Sequence, residues 1–313
     1  MEISVIIPVK NGEKYLSQCL DSVFNQSFDG DYEVILGIDP SDDKTNEIAL
    51  EYQKNHSNLI VENRRGLGVQ INRMDSIKKA KGKYLCFLDA DDYYDKDYLK
   101  VMHEEISKGY DVINCSFKID KNGKISNNLF AKNKELDSPQ ACKAILLDTY
   151  MRSFLWSKIF KRELFEIENI PSFKSKTAMF EDTMLVYYLF MHTKKVKSIS
   201  NPLYYYRDNA SSATKSERKE RFEYHINVFA YIRHLCDENE NKQYLTDFRK
   251  TMFRSKMSLF YDGHVSRHVL GHGGLAELKR NKEILKDLKN QNKMDINRYP
   301  SIKQFIEESK KSI

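Results

Sequence analysis

A short apolar segment that runs directly into three acidic residues constrains this chain more than any other feature. Residues 84–88 read YLCFL and residues 89–92 read DADD. Consecutive apolar and aromatic side chains predict a strand that is buried on both faces, between helices. In open α/β sheets, ligands bind beyond the carboxyl ends of the strands. The acidic residues are therefore predicted to line a ligand site.

The chemistry of these acidic residues indicates a metal ion. Carboxylates this close in sequence repel one another unless a cation or hydrogen bonds offset their charge. Mg²⁺ and Mn²⁺ take oxygen ligands, often one or two carboxylates together with phosphate oxygens. Asp89 and Asp91 are therefore candidate metal ligands. A polar turn with an N-cap aspartate before a helix near Lys96 would give the same residues, so the segment alone leaves both interpretations open.

Strands and helices alternate along the first third of the chain. Each apolar segment typical of a strand is followed by a segment in which apolar residues recur at helical spacing. Four such repeats predict right-handed βαβ units and an α/β fold, with a mainly parallel, Rossmann-like sheet flanked by helices. The predicted strands are 3–9, 33–38, 59–61, 84–88 and 111–115, and the predicted helices are 16–26, 45–55, 69–80 and 96–108.

The middle of the chain mixes short strands with helices. Lys121-Asn122-Gly123-Lys124 is a hairpin signal, because Asn-Gly favours the tight turn between two strands. Ser138-Pro139 predicts the N-cap and first position of a helix that ends near Asp148. Further predicted elements are a helix over 180–192, with acidic residues in its first turn, and short strands at 196–199 and 203–206.

Helical periodicity dominates from about Glu217, with predicted helices at 217–236, 240–260, 275–291 and 301–310. The formal net charge of +6 lies entirely in residues 216–313, which hold 20 Lys or Arg against 14 Asp or Glu. This predicts a first domain over 1–215 and a helical C-terminal region over 216–313. The basic balance predicts an anionic partner, although a solvated helical surface explains it as well. Contact with an acceptor, with a membrane surface or with a second copy of the chain is left open.

Composition is typical of a globular protein inside the cell. No apolar run approaches the roughly 18 residues of a membrane-spanning helix, and residues 3–7 suit a strand rather than a signal peptide. The five cysteines are scattered, without the spacing of a zinc site or of a disulfide framework. The chain is therefore predicted to be cytoplasmic with reduced thiols, and peripheral attachment to the inner face of the cell membrane stays open.

An ordered set of motifs across residues 1–215 resembles the family 2 glycosyltransferases of the GT-A fold. The resemblance is to those that build capsules, teichoic acids and other cell-surface polysaccharides. Each motif is common alone, but the order is specific. The matching segments are residues 4–11 (SVIIPVKN), 16–26 (LSQCLDSVFNQ), 39–43 (DPSDD), 65–68 (RGLG), 82–84 (GKY), 87–92 (FLDADD), 156–160 (WSKIF), 181–182 (ED) and 204–207 (YYYR).

The resemblance implies a metal-dependent, inverting glycosyltransferase. It implies a nucleotide-sugar donor, most often a UDP-sugar, and Mn²⁺ or Mg²⁺ held by Asp91 and Asp89. The acceptor would be a hydroxyl of a glycan, polyol phosphate or lipid-linked molecule, and no nucleic-acid partner is implied. Asp182 would be the general base, supported by Glu181. The residues implied to bind the nucleotide sugar are Pro8, Val9, Asn11, Asp39, Gly68, Asn72, Asp89, Ala90, Asp91, Lys158 and Arg207.

Two positions depart from the family pattern. Ile38 replaces the first of two adjacent acids that usually end in the position of Asp39. Residues 70–72 read QIN where the family often has Ala-Arg-Asn, so that arginine is absent unless Arg73 or Arg65 replaces it. The departure at Ile38 bears on how the nucleotide base would be recognised.

Two other functions compete with the enzyme. The missing acid at position 38 would suit a degenerate, non-catalytic binding module. A sugar nucleotidyltransferase also uses a parallel sheet and paired acids, but it usually carries a Gly-rich basic loop after the first strand. Residues 10–13 read KNGE and lack that glycine run. The intact acid pair and predicted base favour the glycosyltransferase, although Glu181 and Asp182 would also suit any helix N-terminus.

Overall fold

The computed structural model describes residues 1–128, 130–168, 170–171, 181–208, 219–254, 283–284, 286–288, 290 and 293–310. Within them, ten strands form one sheet with helices on both faces. The strands are β1 (Ile3–Val9), β2 (Tyr32–Ile38), β3 (Leu59–Asn63), β4 (Tyr84–Phe87), β5 (Tyr93–Tyr94), β6 (Val112–Lys121), β7 (Lys124–Asn128), β8 (Lys134–Leu136), β9 (Lys158–Lys161) and β10 (Val196–Arg207). The helices are α1 (Leu16–Phe24), α2 (Thr45–Asn55), α3 (Val69–Ile77), α4 (Tyr98–Ile106), α5 (Ser138–Leu147), α6 (Glu181–Met191), α7 (Lys219–Glu238), α8 (Lys242–Arg254) and α9 (Pro300–Lys310).

The sheet is mixed, with a parallel half and a half that contains antiparallel pairs. Its order is β3-β2-β1-β4-β9-β6-β10-β5, with β7 on β6 and β8 on β10. The first four strands in this order are parallel, as predicted from the alternating pattern. Strand β9 separates β4 from β6 and is antiparallel to both. Strand β9 is not predicted from the sequence, because its four residues, KIFK, have too little periodicity to distinguish a strand from a loop.

Both faces of the central strands are buried. Ile3, Val5 and Ile7 of β1 belong to one apolar cluster, whereas Ile6 belongs to the other. The first cluster also holds residues of α1, α2 and α4, and the second holds residues of α5 to α9. The C-terminal helices therefore share a core with the sheet. The boundary at residue 216 stays a prediction.

Two predictions that depend on single residues can be compared with the backbone: the hairpin turn at Asn122 and the helix start at Ser138. Asn122 and Gly123 both have positive φ, 53° and 82°, as the predicted hairpin between β6 and β7 requires. The predicted helix at Ser138 is confirmed, but its cap is wrong. Asp137 is the N-cap, and its side chain forms a capping box with Gln140.

Several predicted boundaries change in the structure. The two short strands predicted at 196–199 and 203–206 are one strand, β10, whose register shifts near Pro202. The last predicted helix is confirmed as α9. The predicted helix at 240–260 is confirmed as far as Arg254, and its remainder and most of the helix predicted at 275–291 lie outside the described residues.

The cysteine prediction is confirmed, since all five are buried free thiols. Among the described residues, no helix combines the length and the apolar character needed to cross a bilayer.

Gly82 fixes how closely β4 approaches β1, and its substitution gives a direct test of the packing. A Cβ atom there would lie 2.4 Å from the Ser4 nitrogen and 2.6 Å from the Ile3 carbonyl carbon. Because both are backbone atoms, a side-chain rotation cannot relieve the clash. Gly82→Ala should therefore lower the free energy of unfolding by about 3 kcal/mol, measured by urea denaturation. Lys81→Ala, at the exposed neighbouring residue, is the matched control, and equal stability of the two variants would contradict the expectation.

Candidate active site

The predicted acidic cluster lies at the carboxyl edge of the parallel strands. Asp89 follows β4 by two residues, and Asp39 directly follows β2. Strands β1 and β4 are paired in register up to Ile6 and Phe87, and the Leu88 N–H donates to the Ile6 carbonyl. The loops that follow β1, β2 and β4 therefore lie at the same edge of the sheet, where ligands bind in open α/β sheets.

Arg73 is the centre of this site. Its guanidinium lies 2.7 Å from an Asp89 oxygen, 3.0 Å from an Asp182 oxygen and 3.7 Å from a Glu181 oxygen. The Arg73 side chain is only 5% exposed. One buried cation thus holds together carboxylates from two elements, the turn after β4 and the start of α6.

The start of α3 places Arg73 there. Gly68 adopts φ 104° at the N-cap, a conformation that suits glycine, and the helix then presents polar residues to the protein interior. Gln70, Asn72 and Arg73 are all buried. Arg65, the other candidate for the missing family arginine, is 77% exposed and does not take this position. Buried polar residues on the inner side of a helix are the signal that points to a site here.

Asp182 is held by two different donors. One oxygen accepts the contact from Arg73, and the other accepts a hydrogen bond of 3.1 Å from the Leu155 N–H. Burial raises the pKa of Asp182, and the positive charge of Arg73 opposes that rise. Its side chain keeps 16% of its surface exposed, which a group that must meet a substrate needs. Asp182 is therefore an oriented carboxylate with an increased affinity for a proton.

Glu181 differs from its neighbour in protonation. Burial, followed by the negative charge of Asp182, raises the pKa of Glu181 to about 8. Two adjacent carboxyl groups in low dielectric cannot both ionise easily beside one guanidinium. Burial and the charge of Asp182 thus favour the protonated form of Glu181, because they raise its pKa, whereas Arg73 and the Leu155 N–H favour the ionised form of Asp182.

The DADD turn separates into two kinds of carboxylate. Asp92 is buried, and its oxygens accept hydrogen bonds of 2.7 Å from the Tyr204 hydroxyl and from the Arg207 N–H. Burial and the charges of Asp91 and Asp89 raise its pKa well above the usual range. Asp92 therefore fixes the turn. Asp89 and Asp91 remain half-buried.

Asp89 and Asp91 have the chemistry of ligands for a divalent ion that would complete its shell with phosphate oxygens and water. The described part of the chain contains no group of three or more His, Cys, Asp or Glu placed to hold a metal. Both Asp92 oxygens accept protein hydrogen bonds, whereas Asp89 gives one oxygen to Arg73 and keeps 30% of its side chain exposed. Asp89 and Asp91 are therefore the acids of the turn suited as ligands. Mg²⁺ commonly takes one or two carboxylates and completes its shell with phosphate oxygens and water.

Arg207 fastens the DADD turn to α1. Its Nε donates to the Asp91 carbonyl and its Nη2 donates to the Gln18 side chain, both at 2.7 Å. The guanidinium also lies against the rings of Tyr15 and Tyr93. The hydrogen-bond donors of Arg207 are thus directed to protein atoms, and its contact with the nucleotide sugar stays a prediction.

Lys158 and Asn72 also direct their side-chain donors to protein atoms. The Lys158 side chain is fully buried, and its ammonium donates to two backbone carbonyls and to the Ser157 hydroxyl. Asn72 is buried and its side-chain nitrogen donates to the Gly37 carbonyl at 2.9 Å. Both side chains are bound to protein groups in this structure, and their contact with the nucleotide sugar stays a prediction. A motif does not show on which side of the backbone a side chain is buried.

Most of the remaining residues predicted to bind the nucleotide sugar lie at or near the ends of β1 and β2. Asp39 donates its N–H to the Val9 carbonyl at 2.9 Å, and its carboxylate accepts from the Gly66 N–H at 3.1 Å. Asn11, with φ 50°, accepts a hydrogen bond from the Asp42 N–H. Their contacts with a nucleotide stay a prediction. The other two residues of this predicted set are Pro8, inside β1, and Ala90, inside the DADD turn, and both are buried.

Comparison with known proteins identifies the family of this site. Residues 4–171, more than half of the chain, match the family model described as glycosyl transferase family 2. The chain belongs to glycosyltransferase family 2. The predicted family is therefore confirmed, together with its enzyme class.

Relatives of this family 2 glycosyltransferase include other bacterial glycosyltransferases. EpsH of Bacillus subtilis is 27% identical over 255 residues, which cover 80% of this chain and 72% of EpsH. A poly(ribitol-phosphate) beta-glucosyltransferase of Bacillus spizizenii is 31% identical over 212 residues. That match covers 66% of this chain but only 32% of the relative.

A solved structure confirms the predicted GT-A fold. The crystal structure of Staphylococcus aureus TarS residues 1–349 in complex with UDP-GlcNAc superposes with a TM-score of 0.71. The alignment is 21% identical and covers 98% of this chain and 82% of the TarS chain. The likeness therefore includes the C-terminal helices as well as the sheet.

Proposed function

We propose that this family 2 glycosyltransferase transfers a sugar from a UDP-sugar to a hydroxyl group of a cell-surface polymer, with inversion at the anomeric carbon. The observation that carries the proposal is the convergence of Asp89 and Asp182 on the buried guanidinium of Arg73. It holds the acidic turn after β4 beside an oriented carboxylate on α6. A donor diphosphate at the first group and an acceptor hydroxyl at the second would be adjacent.

Asp182 supplies the base in this proposal. The acceptor oxygen attacks the anomeric carbon as its proton passes to a lone pair of the Asp182 carboxylate. At the same time, the bond from the anomeric carbon to the diphosphate oxygen breaks, and the nucleoside diphosphate leaves. The Leu155 N–H and Arg73 hold the carboxylate in one orientation throughout. A single displacement from the face opposite the leaving group inverts the anomeric centre.

Asp91 and Asp89 would hold Mg²⁺ or Mn²⁺, which supplies Lewis-acid stabilisation of charge on the leaving nucleoside diphosphate. Tyr204, Asp92 and Arg207 contribute by fixing the turn that carries both ligands.

The acceptor class rests on the relatives. The Bacillus spizizenii relative is named for action on poly(ribitol phosphate), and TarS for poly(ribitol-phosphate) beta-N-acetylglucosaminyl transfer. An anionic polyol-phosphate acceptor would also suit the basic C-terminal region. Such a chain would act inside the cell, where nucleotide sugars are made, and contact with a lipid-linked acceptor would bring it to the membrane surface.

The test is release of nucleoside diphosphate from a panel of nucleotide sugars, with Mn²⁺, with Mg²⁺ or with a chelator. Slow hydrolysis of a donor needs no acceptor, so the acceptor need not be known. Metal-dependent release from one UDP-sugar is expected. Absence of both binding and release across the panel would contradict the proposed activity and favour the non-catalytic binding module.

Asp91→Asn tests the metal ligand. The substitution removes a negative charge but keeps the size of the side chain, so the variant should lose affinity for Mn²⁺ and release UDP at least about 100-fold more slowly. Titration of Mn²⁺ into the donor complex measures the first effect. Asp42→Asn, at an exposed acid in the loop after β2, is the matched control. An unchanged metal requirement in Asp91→Asn would rule out this ligand.

A further inference from the structure

Lys158 has no role in the proposed chemistry, although it is a fully buried lysine next to the site. It is the first residue of β9, and its side chain has no exposed surface. A lysine is rarely buried unless its charge and its three donors are satisfied. This raises the question of what the ammonium group holds.

The ammonium group is bound almost entirely by one loop, residues 152–157. Its Nζ donates to the carbonyl of Arg152 at 2.5 Å, to the carbonyl of Phe154 at 2.7 Å and to the Ser157 hydroxyl at 3.1 Å. These three acceptors use the three donors of the ammonium group. These contacts draw Arg152, Phe154 and Ser157 to one group. They add to two backbone hydrogen bonds, from the Lys158 N–H to the Leu155 carbonyl and from the Cys115 N–H to the Ser157 carbonyl.

The same loop contacts the first turn of α6 at two points. The Leu155 N–H donates to Asp182 at 3.1 Å, and the Ser153 hydroxyl lies 2.7 Å from the Thr183 hydroxyl. Leu155 lies between Phe154 and Ser157, which are two of the three residues that bind the Lys158 ammonium. Movement of the loop would therefore move the donor that orients the Asp182 carboxylate.

Electrostatics couple the two groups as well. Burial lowers the pKa of Lys158 to about 7, and the charge of Asp182 opposes that fall. The charge of Lys158 in turn lowers the raised pKa of Asp182. A lysine that served only to fill the core would not need a carboxylate on α6 as its charge partner.

We propose that Lys158 is a positioning residue that closes loop 152–157 and thereby aims the Leu155 N–H at the Asp182 carboxylate. The proposal rests on the proposed function, in which Asp182 is the base. It explains why a lysine is buried beside the site with its side-chain nitrogen bound to three groups of one loop. Lys158 would not touch the substrate.

Lys158→Met tests the proposal, because methionine has a similar length and no donors. We expect kcat for transfer to fall about 100-fold, since a catalytic group misplaced by about 1 Å costs that much. The KM for the nucleotide sugar should stay within about twofold, because the loop holds the base and not the donor. Hydrogen exchange of the amides of residues 153–156 and 182–184 should become about tenfold faster.

Lys161→Met is the matched control. Lys161 is the last residue of the same strand, and its ammonium binds one Asp111 oxygen at 2.8 Å. The other Asp111 oxygen accepts from the Lys194 and Lys195 N–H groups, which follow the last turn of α6 and not its first. This control should leave kcat and the exchange of both segments within about twofold of the unaltered protein. A purely structural role for Lys158 would lower the stability of Lys158→Met without changing kcat per folded molecule, and that result would overturn the proposal.

Because Lys158→Met leaves buried carbonyls without a donor and could prevent folding, Ser153→Ala provides a second test. It removes only the other contact between the loop and α6, so a fall in kcat of about fivefold at constant donor KM is expected. An unchanged kcat would contradict the link between the loop and the helix. If the unaltered protein transfers no sugar, the proposed function fails, and the exchange comparison alone then decides whether Lys158 orders these two segments.

Discussion

Replacing Asp182 with asparagine should lower kcat for sugar transfer by about 1,000-fold, while donor affinity changes by less than about threefold. General-base catalysis contributes roughly 10²–10⁴-fold, and an amide cannot accept the proton of the acceptor hydroxyl. Asparagine can still accept the hydrogen bond from the Leu155 N–H, so the loop contact is retained. Steady-state transfer assays and calorimetric titration of the donor measure the two quantities.

Glu181→Gln is the informative comparison. The raised pKa of Glu181, about 8, keeps its side chain mostly neutral at pH 7, and glutamine resembles that neutral form. We therefore expect a clearly smaller loss of kcat than in Asp182→Asn. If the two substitutions had equal effects, or if Asp182→Asn stayed active, the base would have to be another group.

The parallel half of the sheet was predictable because its signals are local. Each strand from β1 to β4 is an apolar segment followed by a helix of matching periodicity, and residues within a few positions of each other determine both. The carboxyl ends of parallel strands meet at one edge of the sheet, and Asp89 and Asp39 both follow such strands. Their position at that edge therefore follows from the sequence alone. The family resemblance added Asp182, which lies at the start of its predicted helix.

The antiparallel half and the supports of the site were not predictable in this way. Asp92 binds Tyr204 and Arg207 across more than 110 positions of sequence, and no local pattern encodes that pairing. Basic residues near a motif were interpreted as ligands of the donor, yet Lys158 and Arg207 bind protein groups. A positive charge attracts a phosphate and a backbone carbonyl alike, so the residue type alone cannot distinguish the two roles.

Arg73→Met should destabilise the fold more than any other substitution at the site. The guanidinium is buried and lies within 3.7 Å of oxygens of Asp89, Glu181 and Asp182. Removing one partner of a buried ion pair typically costs about 3–5 kcal/mol, because the remaining charges are left without compensation. Urea denaturation of the unaltered protein, Arg73→Met and Arg65→Met would measure this loss. Arg65 is 77% exposed, so its substitution should change stability by less than about 0.5 kcal/mol.

The loss in Arg73→Met should also depend on pH. Arg73 lowers the pKa values of Glu181 and Asp182, which burial raises, so both values would rise further in the folded variant. At pH values above the usual pKa of a carboxyl group, the folded variant would therefore bind more protons than its unfolded chain. Its free energy of unfolding would then fall as the pH rises. We therefore expect a smaller loss at pH 5 than at pH 8. An equal loss at both values would mean that Arg73 stabilises the site by packing, without compensating the charge of these carboxylates.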